Sequence, residues 1–304
     1  MMAINKYTEN VVDLLRNAVT ATQTAKDHGG NRTQDFRQDA ELHERREKLL
    51  SWIDQLSNVL ESDKLCLRGQ KISAASGKQD EPHYEILLAV KDDNGQLTSP
   101  IEFIEAAECY NRMQRVDRWV IEQAFSWLSQ LAADTVNIPS ISINLSGNSM
   151  NDDQFMDYIL EMFARFKVPT NKICFEVTET ATINNLSEAA DFIREIKKLG
   201  CKCSLDDFGS GNASYQYLKH LPVDYLKIDG MFVKDIHNNA DDFALVKSIN
   251  EIAHLMGKKT IAEYAESNEV IAKLKAIGVD YLQGFAISKP ILLEDIGQSL
   301  RQKG

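Results

Sequence analysis

Short apolar runs that end in polar residues alternate with longer stretches of helical periodicity along most of the chain, from about residue 65 onward. The runs predict strands at 65–72, 83–90, 139–146, 171–178, 201–207, 223–229, 258–263 and 280–287. Between and after them, apolar residues at spacings of three and four predict helices at 115–133, 151–166, 187–199, 241–256, 268–277 and 292–302. Seven or eight β-then-α units over this length fit a closed (β/α)8 barrel better than an open doubly wound sheet, because no glycine-rich dinucleotide loop follows the first strand. The first sixty residues have a different texture. Val11, Leu14, Leu15, Ala18, Val19, Thr22 and Ala25 line one face of a helix over 9–28 that Gly29-Gly30 would stop. A charged helix follows from near Asp35, where Leu49, Ile53, Leu56 and Leu60 step by four, three and four. That seam suits either a short coiled coil that transmits a signal or a helix docked on its own barrel. The predicted organisation is a helical extension over 1–62 and a barrel over 63–304.

In such barrels chemistry sits where strands end, and here the apolar strands are interrupted by carboxylates and amides. In order they are Glu85 in HYEILL, Asn144 in ISINLS, Glu176 and Glu179 in CFEVTET, Asp206 and Asp207 in SLDDFGSG, Lys227 and Asp229 in YLKIDG, Glu263 in TIAEYAES and Gln283 in YLQGF. Any one acid alone reads as a helix N-cap. Together, on seven strands, they would repel one another across a single barrel mouth unless cations offset the charge. An all-oxygen donor set without histidine selects hard ions such as Mg²⁺ or Mn²⁺ over zinc. Two such ions beside a lysine suit phosphodiester hydrolysis, activating a water and neutralising phosphate oxygens. Asp206 and Asp207 are adjacent, so strand alternation lets both reach one site only at a strand's end.

Composition narrows the alternatives. Of 304 residues, 45 are acidic and 34 basic, for a formal charge of −11. That balance opposes bulk nucleic-acid binding but not capture of a small phosphate ligand by a few cations. No apolar run approaches the ~20 residues of a membrane span, and the first residues lack the apolar stretch of a signal peptide, so a cytoplasmic protein is expected. Five cysteines, none in a CxxC pair, suggest buried thiols rather than a disulfide framework or a zinc site. The six histidines show no metal-ligand spacing, and no serine sits in a GxSxG elbow.

The ordered motifs EIL (85–87), FIEAAE (103–108), VDRWV (116–120), INLS, FEVTET, LDDFGSG, LPVDYLKIDG, IAEYAES, YLQGF and SKP (288–290) resemble those of the EAL domain of bacterial cyclic di-GMP signalling, over about residues 60–300. The resemblance implies an α/β fold, a modified TIM-like (β/α)8 barrel with one antiparallel strand, and Mg²⁺- or Mn²⁺-dependent hydrolysis of cyclic di-GMP to linear pGpG, with Ca²⁺ inhibitory. Carried over by motif, Glu85, Asn144, Glu176 and Asp206 are expected to ligate the first ion and Asp207 the second. Lys227 is expected to hold the attacking water and Glu263 to act as general base or second-site ligand, with Asp207 counted among the catalytic groups. Gln70, Leu87 and Gln283 are expected to face the substrate, with Gln283 and Asp229 supporting the cluster. Glu179 is expected to steady the loop after the paired aspartates, residues 207–214, which implies a homodimer coupled to activity. The segment before residue 37 resembles the closing helix and tail of a GGDEF domain, without its nucleotide-binding core. Upstream sensory or GGDEF domains are therefore expected partners.

Four departures from the family pattern stand out, and the last three bear on activity. Ile86 stands where the motif has alanine. Ala89 stands where the family has a phosphate-binding arginine, a loss of about 1.5–3 kcal/mol of charge-assisted contact. Asn212-Ala213 and Tyr264-Ala265 replace the usual pairs in the loop and after Glu263. The alternative that Ala89 and the altered loop favour is a catalytically weak cyclic di-GMP receptor that signals through the N-terminal helices.

Overall fold

The computed structural model describes residues 64–77, 81–92, 94–134, 138–209 and 215–302, and of the earlier chain only 19, 22, 49–52, 56 and 59–62. The chain divides into two compact units, Met1–Trp52 and Ile53–Gly304. The expected helix over 9–28, most of the charged helix and the loop residues 210–214 lie outside the described residues. Of the described apolar positions of the second unit before the first strand, Leu56 and Val59 are buried and Leu60 is half-buried.

Eight strands form the barrel: β1 (Leu65–Ala74), β2 (His83–Lys91), β3 (Ser140–Leu145), β4 (Ile173–Thr178), β5 (Lys202–Phe208), β6 (Tyr225–Ile228), β7 (Lys259–Ala262) and β8 (Tyr281–Gln283). Strands β2 to β8 run parallel, each bonded to the next. Strand β1 is antiparallel to both β2 and β8 and closes the cylinder between them. This is the expected barrel with its one antiparallel strand, and every predicted strand is present. The two-residue strands Leu97–Thr98 and Ile291–Leu292 extend β2 and β1 at the rim.

The helices between strands are α1 (Ile101–Cys109), α2 (Met113–Asp134), α3 (Phe155–Phe166), α4 (Leu186–Lys198), α5 (Ala240–Leu255) and α6 (Asn268–Ile277), followed by α7 (Leu293–Arg301). Their amphipathic spacing explains the packing. In α4, Ala189, Phe192, Ile193 and Ile196 recur at steps of three and four and are buried, while Glu188 opens the helix and Lys197 and Lys198 close it in accord with its dipole. The Asn239 side chain caps α5 and Ser267 caps α6, which Gly278 ends at φ 90°. Helix α1 was not predicted: Pro100 occupies its N-cap without a side-chain bond, so the usual start signal is missing.

Strand alternation sorts the side chains into an outer and an inner set. Ile141, Ile143, Phe175, Leu205, Leu226 and Ile228 are buried on the outer, helix-facing side. Along the inner side, the same strands read Cys174–Glu176, Lys202–Ser204–Asp206, Tyr225–Lys227 and Lys259–Ile261. The middle layer is apolar, with Ile72, Cys174, Tyr225 and Ile261 packed together and Tyr281 against them. Above it lie the carboxylates and below it the first residues of the strands. Three of the five cysteines, Cys174, Cys201 and Cys203, are buried and form no disulfide; burial pushes the Cys201 thiol up to about 12, in keeping with inert structural thiols.

Candidate active site

Lys227 organises the mouth of the barrel. It projects inward from β6 and has no exposed surface. Its Nζ lies 2.7 Å from Glu176 Oε2, 2.9 Å from Glu263 Oε1, 3.0 Å from Asp206 Oδ1 and 3.2 Å from Glu85 Oε2. Three strands, β2, β4 and β5, and the residue that follows β7 thus deliver one carboxylate each to a single ammonium. Burial would lower the lysine, but Asp206, Glu176, Glu263 and Glu85 together hold it well above its ordinary value.

One ammonium cannot balance this set. Burial pushes Glu176 up to about 8 against the pull of Lys227, with Glu85 and Asp206 adding to the rise. Burial likewise pushes Glu263 up to about 8 despite Lys227, aided by Asp206 and Glu85. For Glu85 burial acts upward, but Lys227 and hydrogen bonds from Gln283 and Asn144 outweigh it and hold the group below its usual range. The donors are Asn144 Nδ2 to Oε1 at 2.7 Å and Gln283 Nε2 to Oε2 at 2.6 Å. Gln283 Nε2 is also 3.2 Å from Gln70 Oε1, and Gln70 Nε2 donates to the Ser288 carbonyl at 3.1 Å. Gln70 therefore acts as a brace for Gln283, its amide engaged at both ends.

Asp206 and Asp207 reach the same site through a local break in the strand. Pairing between β5 and β6 shifts register between Leu205 and Phe208, and Asp207 has φ 55°. A residue in this left-handed region interrupts the alternation, so the two neighbours need not face opposite ways. Ligand oxygens of Asp206, Asp207 and Glu263 fall within 4.8 Å of one another, as do those of Glu85, Glu176 and Asp206. Burial, then Asp206 and Asp229, raise Asp207 to about 6. The backbone N–H of Asp207 donates to Asp206 Oδ1 at 2.9 Å.

The donor set fits hard divalent cations on its own geometry. Two overlapping groups of three carboxylates share Asp206, and the fully buried Glu176 Oε1 has no hydrogen-bond donor among the described residues. An orphaned carboxylate oxygen sealed from water is costly unless a cation completes it. Gln283 Oε1 is also buried without a donor.

The loop after the paired aspartates is tied to β4. Glu179 is buried at the start of the helical turn Glu179–Asn184, which Thr178 caps. Its Oε2 accepts from the Gly209 N–H at 2.7 Å and its Oε1 from the Tyr217 hydroxyl at 2.7 Å. Tyr217 carries no sequence signal that would have singled it out. Asp229 fills the bland role open to any strand-end acid: its Oδ1 accepts from the Met231 N–H at 2.7 Å and caps the turn Gly230–Val233. Leu87 is half-buried on β2, two residues beyond Glu85. Ala89, two further, has no exposed surface, so an arginine there would need the neighbouring side chains to repack. Tyr264 is exposed, at φ 51°, and its ring covers Gly230, where an added Cβ would lie 2.0 Å from it.

An eight-stranded α/β barrel whose mouth gathers five carboxylates, four of them on one buried lysine, defines the class of protein. A family model, "EAL domain", matches residues 53–290, and the chain belongs to that family. It is 40% identical over 282 residues to "Cyclic di-GMP phosphodiesterase PdeB" of Shewanella oneidensis, covering 92% of this chain and 33% of that protein. It is 33% identical over 248 residues to "Cyclic di-GMP phosphodiesterase PdeF" of Escherichia coli, covering 81% of this chain and 32% of that one. The chain thus spans about one third of the length of these curated relatives. Among solved structures it is similar to the FimX EAL domain from Pseudomonas aeruginosa bound to c-di-GMP, with a TM-score of 0.73 and 27% identity over 79% of this chain and 96% of that one. Among the described residues no helix is long and apolar enough to cross a membrane.

Proposed function

We propose that this chain is a metal-dependent cyclic di-GMP phosphodiesterase that opens the cyclic dinucleotide to linear pGpG. The observation that carries the reading is the pair of overlapping carboxylate triads around Lys227, with the orphaned Glu176 Oε1 at their base. Glu85, Asn144, Glu176 and Asp206 would hold one Mg²⁺ or Mn²⁺, and Asp207 with Glu263 and the shared Asp206 a second. When bound, these ions supply Lewis-acid neutralisation of phosphate oxygens and acidify the attacking water.

The chain's own residues do the rest. Gln283 and Asn144 fix both oxygens of Glu85, so the first ligand is set before substrate arrives. Lys227 holds four carboxylates in register at the mouth of the barrel and would donate to the attacking water. Glu263 has two alternative roles in this reading, ligand of the second ion or general base that takes the proton from that water as its oxygen bonds to phosphorus. One P–O ester bond breaks in return, and the departing ribose oxygen takes up a proton. The relatives' names and the c-di-GMP held by the structural neighbour support this substrate.

In the same reading the barrel over 63–304 is the catalytic unit, 1–62 is a connector to upstream domains, the enzyme works as a homodimer, and the site faces the cytoplasm. The second reading, a weak receptor, rests on the buried Ala89 in place of a phosphate-binding arginine. The test follows pGpG by chromatography in Mg²⁺ or Mn²⁺ and measures cyclic di-GMP binding in Ca²⁺. Turnover that is lost in a folded Glu85→Ala variant is the expected result. Undiminished turnover in that variant overturns the site, and tight binding without wild-type turnover establishes the receptor.

A further inference from the structure

The opposite end of the barrel holds a second, oppositely charged cavity. Strand alternation places one set of inward residues at the mouth and another at the floor, two to four residues earlier on the same strands. The floor set is His83, Ser140, Ile173 with Cys174, Lys202, Tyr225, Lys259 and Tyr281, each at or next to the first position of its strand. With Glu81, Asn171 and Lys172 they line a cavity of about 260 Å³. That is several times the ~30 Å³ share of one water and just below the ~300 Å³ at which pockets begin to hold drug-sized ligands.

Three lysines face this cavity in a chain with a formal charge of −11. Lys202 Nζ donates to the Tyr225 hydroxyl at 3.0 Å and lies 5.5 Å from the centre of that ring. Lys259 repeats the arrangement with Tyr281, at 3.4 Å and 5.5 Å. The two tyrosine rings meet edge to face at 5.9 Å. Neither ammonium has a carboxylate within 4 Å among the described residues; their partners are neutral phenols. Lys172 is paired with Glu81 at 2.6 Å, but the Glu81 side chain is 72% exposed and sits at the edge. His83 adds no charge, because burial and the neighbouring Lys202 push it down to about 4.

Like charges gathered in a concave site without counterions destabilise the fold unless an anion shares them. Lysines are point-charge donors suited to a tetrahedral anion approached from several sides. Hydroxyl and amide donors from Ser140, Tyr225 and Asn171 are at hand. We propose that the floor of the barrel is a binding site for a small phosphate-bearing anion, with Lys202 and Lys259 as its principal ligands and Glu81 as a competing anion that holds Lys172 aside. The middle layer, whose Cys174, Tyr225 and Tyr281 wall the cavity, stands between this site and the catalytic mouth, and the proposal does not depend on the hydrolytic reading.

The test uses the whole chain freed of metal with EDTA, so that the acidic mouth offers no cation to a phosphate. Pyrophosphate is titrated by calorimetry, with thermal unfolding followed in parallel, against sodium chloride at matched ionic strength. Binding and a rise in Tm beyond the chloride control are expected. Lys202→Gln and Lys259→Gln are each expected to weaken binding about tenfold or more. Glu81→Gln, at an exposed side chain, is expected to tighten binding by freeing Lys172, which a purely structural role for these residues would not produce. Glu85→Ala at the mouth is expected to leave binding unchanged. The proposal is overturned if pyrophosphate does no more than chloride, or if binding survives in Lys259→Gln and is indifferent to Glu81→Gln. Should Lys202→Gln fail to fold, the exposed Lys259 and Glu81 variants decide alone.

Discussion

Lys227 Nζ and Glu176 Oε2 lie 2.7 Å apart, and both side chains are sealed from solvent. A buried pair of this kind contributes little net stability compared with apolar packing, but removing one partner strands the other. Here removal of the lysine strands four carboxylates at once. Lys227→Met is expected to destabilise the metal-free protein by about 3–5 kcal/mol, read from urea unfolding in EDTA. Mn²⁺ should then raise the Tm of the variant more than that of the wild type, because the ion replaces the missing cation, while cyclic di-GMP turnover stays lost. An unchanged unfolding midpoint in EDTA would show that Lys227 does not hold the cluster.

Glu179 links the strand that carries Glu176 to the segment that carries Asp207. A glutamine in its place cannot accept through Nε2, so either the Gly209 N–H or the Tyr217 hydroxyl loses its acceptor, at a cost of about 1–3 kcal/mol. Glu179→Gln should therefore lower kcat by about tenfold or more while leaving the metal-induced rise in Tm intact, since no member of the carboxylate triads is altered. Full activity in this variant would dissociate the loop from catalysis.

The barrel was legible because each strand pairs an apolar outer face with a polar inner terminus, and each long helix keeps a regular buried stripe. Seven strands ending in Glu, Asp, Asn, Lys or Gln also announced a shared mouth. What stayed hidden was the geometry of convergence. Residues 85, 176, 206 and 263 are far apart in sequence, so nothing in the chain marks Lys227 as their common partner. Strand periodicity lets Asp206 and Asp207 meet only at a strand's end; both lie among the last three residues of β5, where a register shift and Asp207 at φ 55° break the alternation. Gln70 braces Gln283, and Asp229 caps a helical turn while its charge also raises Asp207; neither contact has a sequence signal. The floor lysines begin their strands one at a time, and only closure of the barrel turns them into a basic ring.

Tyr264 holds a left-handed backbone conformation that costs a non-glycine residue of order 1–3 kcal/mol, and the residue is 56% exposed beside Glu263. Phe285 is 55% exposed, and its segment is bonded to the same stretch through the Ala265 N–H to the Gln283 carbonyl at 2.9 Å and the Ala286 N–H to the Ala265 carbonyl at 3.1 Å. Strain retained to present an aromatic face at the lip of a site fits a surface for a flat base. Tyr264→Gly should leave Tm unchanged or raise it, and should raise KM for cyclic di-GMP more than it alters kcat. A fall in Tm with unaltered KM would assign the ring to packing over Gly230 alone.

His83 gives the fold a defined acid sensitivity. Burial, with Lys202 adding, lowers its pKa from the ordinary 6.5 to about 4, and its Nε2 is 2.9 Å from Ser142 Oγ. Above pH 6.5 the ring is neutral whether the chain is folded or not, so it sets no pH slope there. Between pH 6.5 and about 4 the unfolded chain takes up a proton that the folded chain refuses, so stability falls as pH falls; below about 4 both states are protonated and the loss levels off. The full effect is roughly 2–3 kcal/mol after allowing for solvent at the open floor of the barrel. Glutamine keeps a hydrogen-bonding partner for Ser142 and does not titrate. Wild type and His83→Gln should therefore converge in stability as pH falls from 7.5 to 4.5, the wild type losing more, when urea midpoints are compared. Parallel curves across that range would show that His83 is charged or solvated in the folded protein.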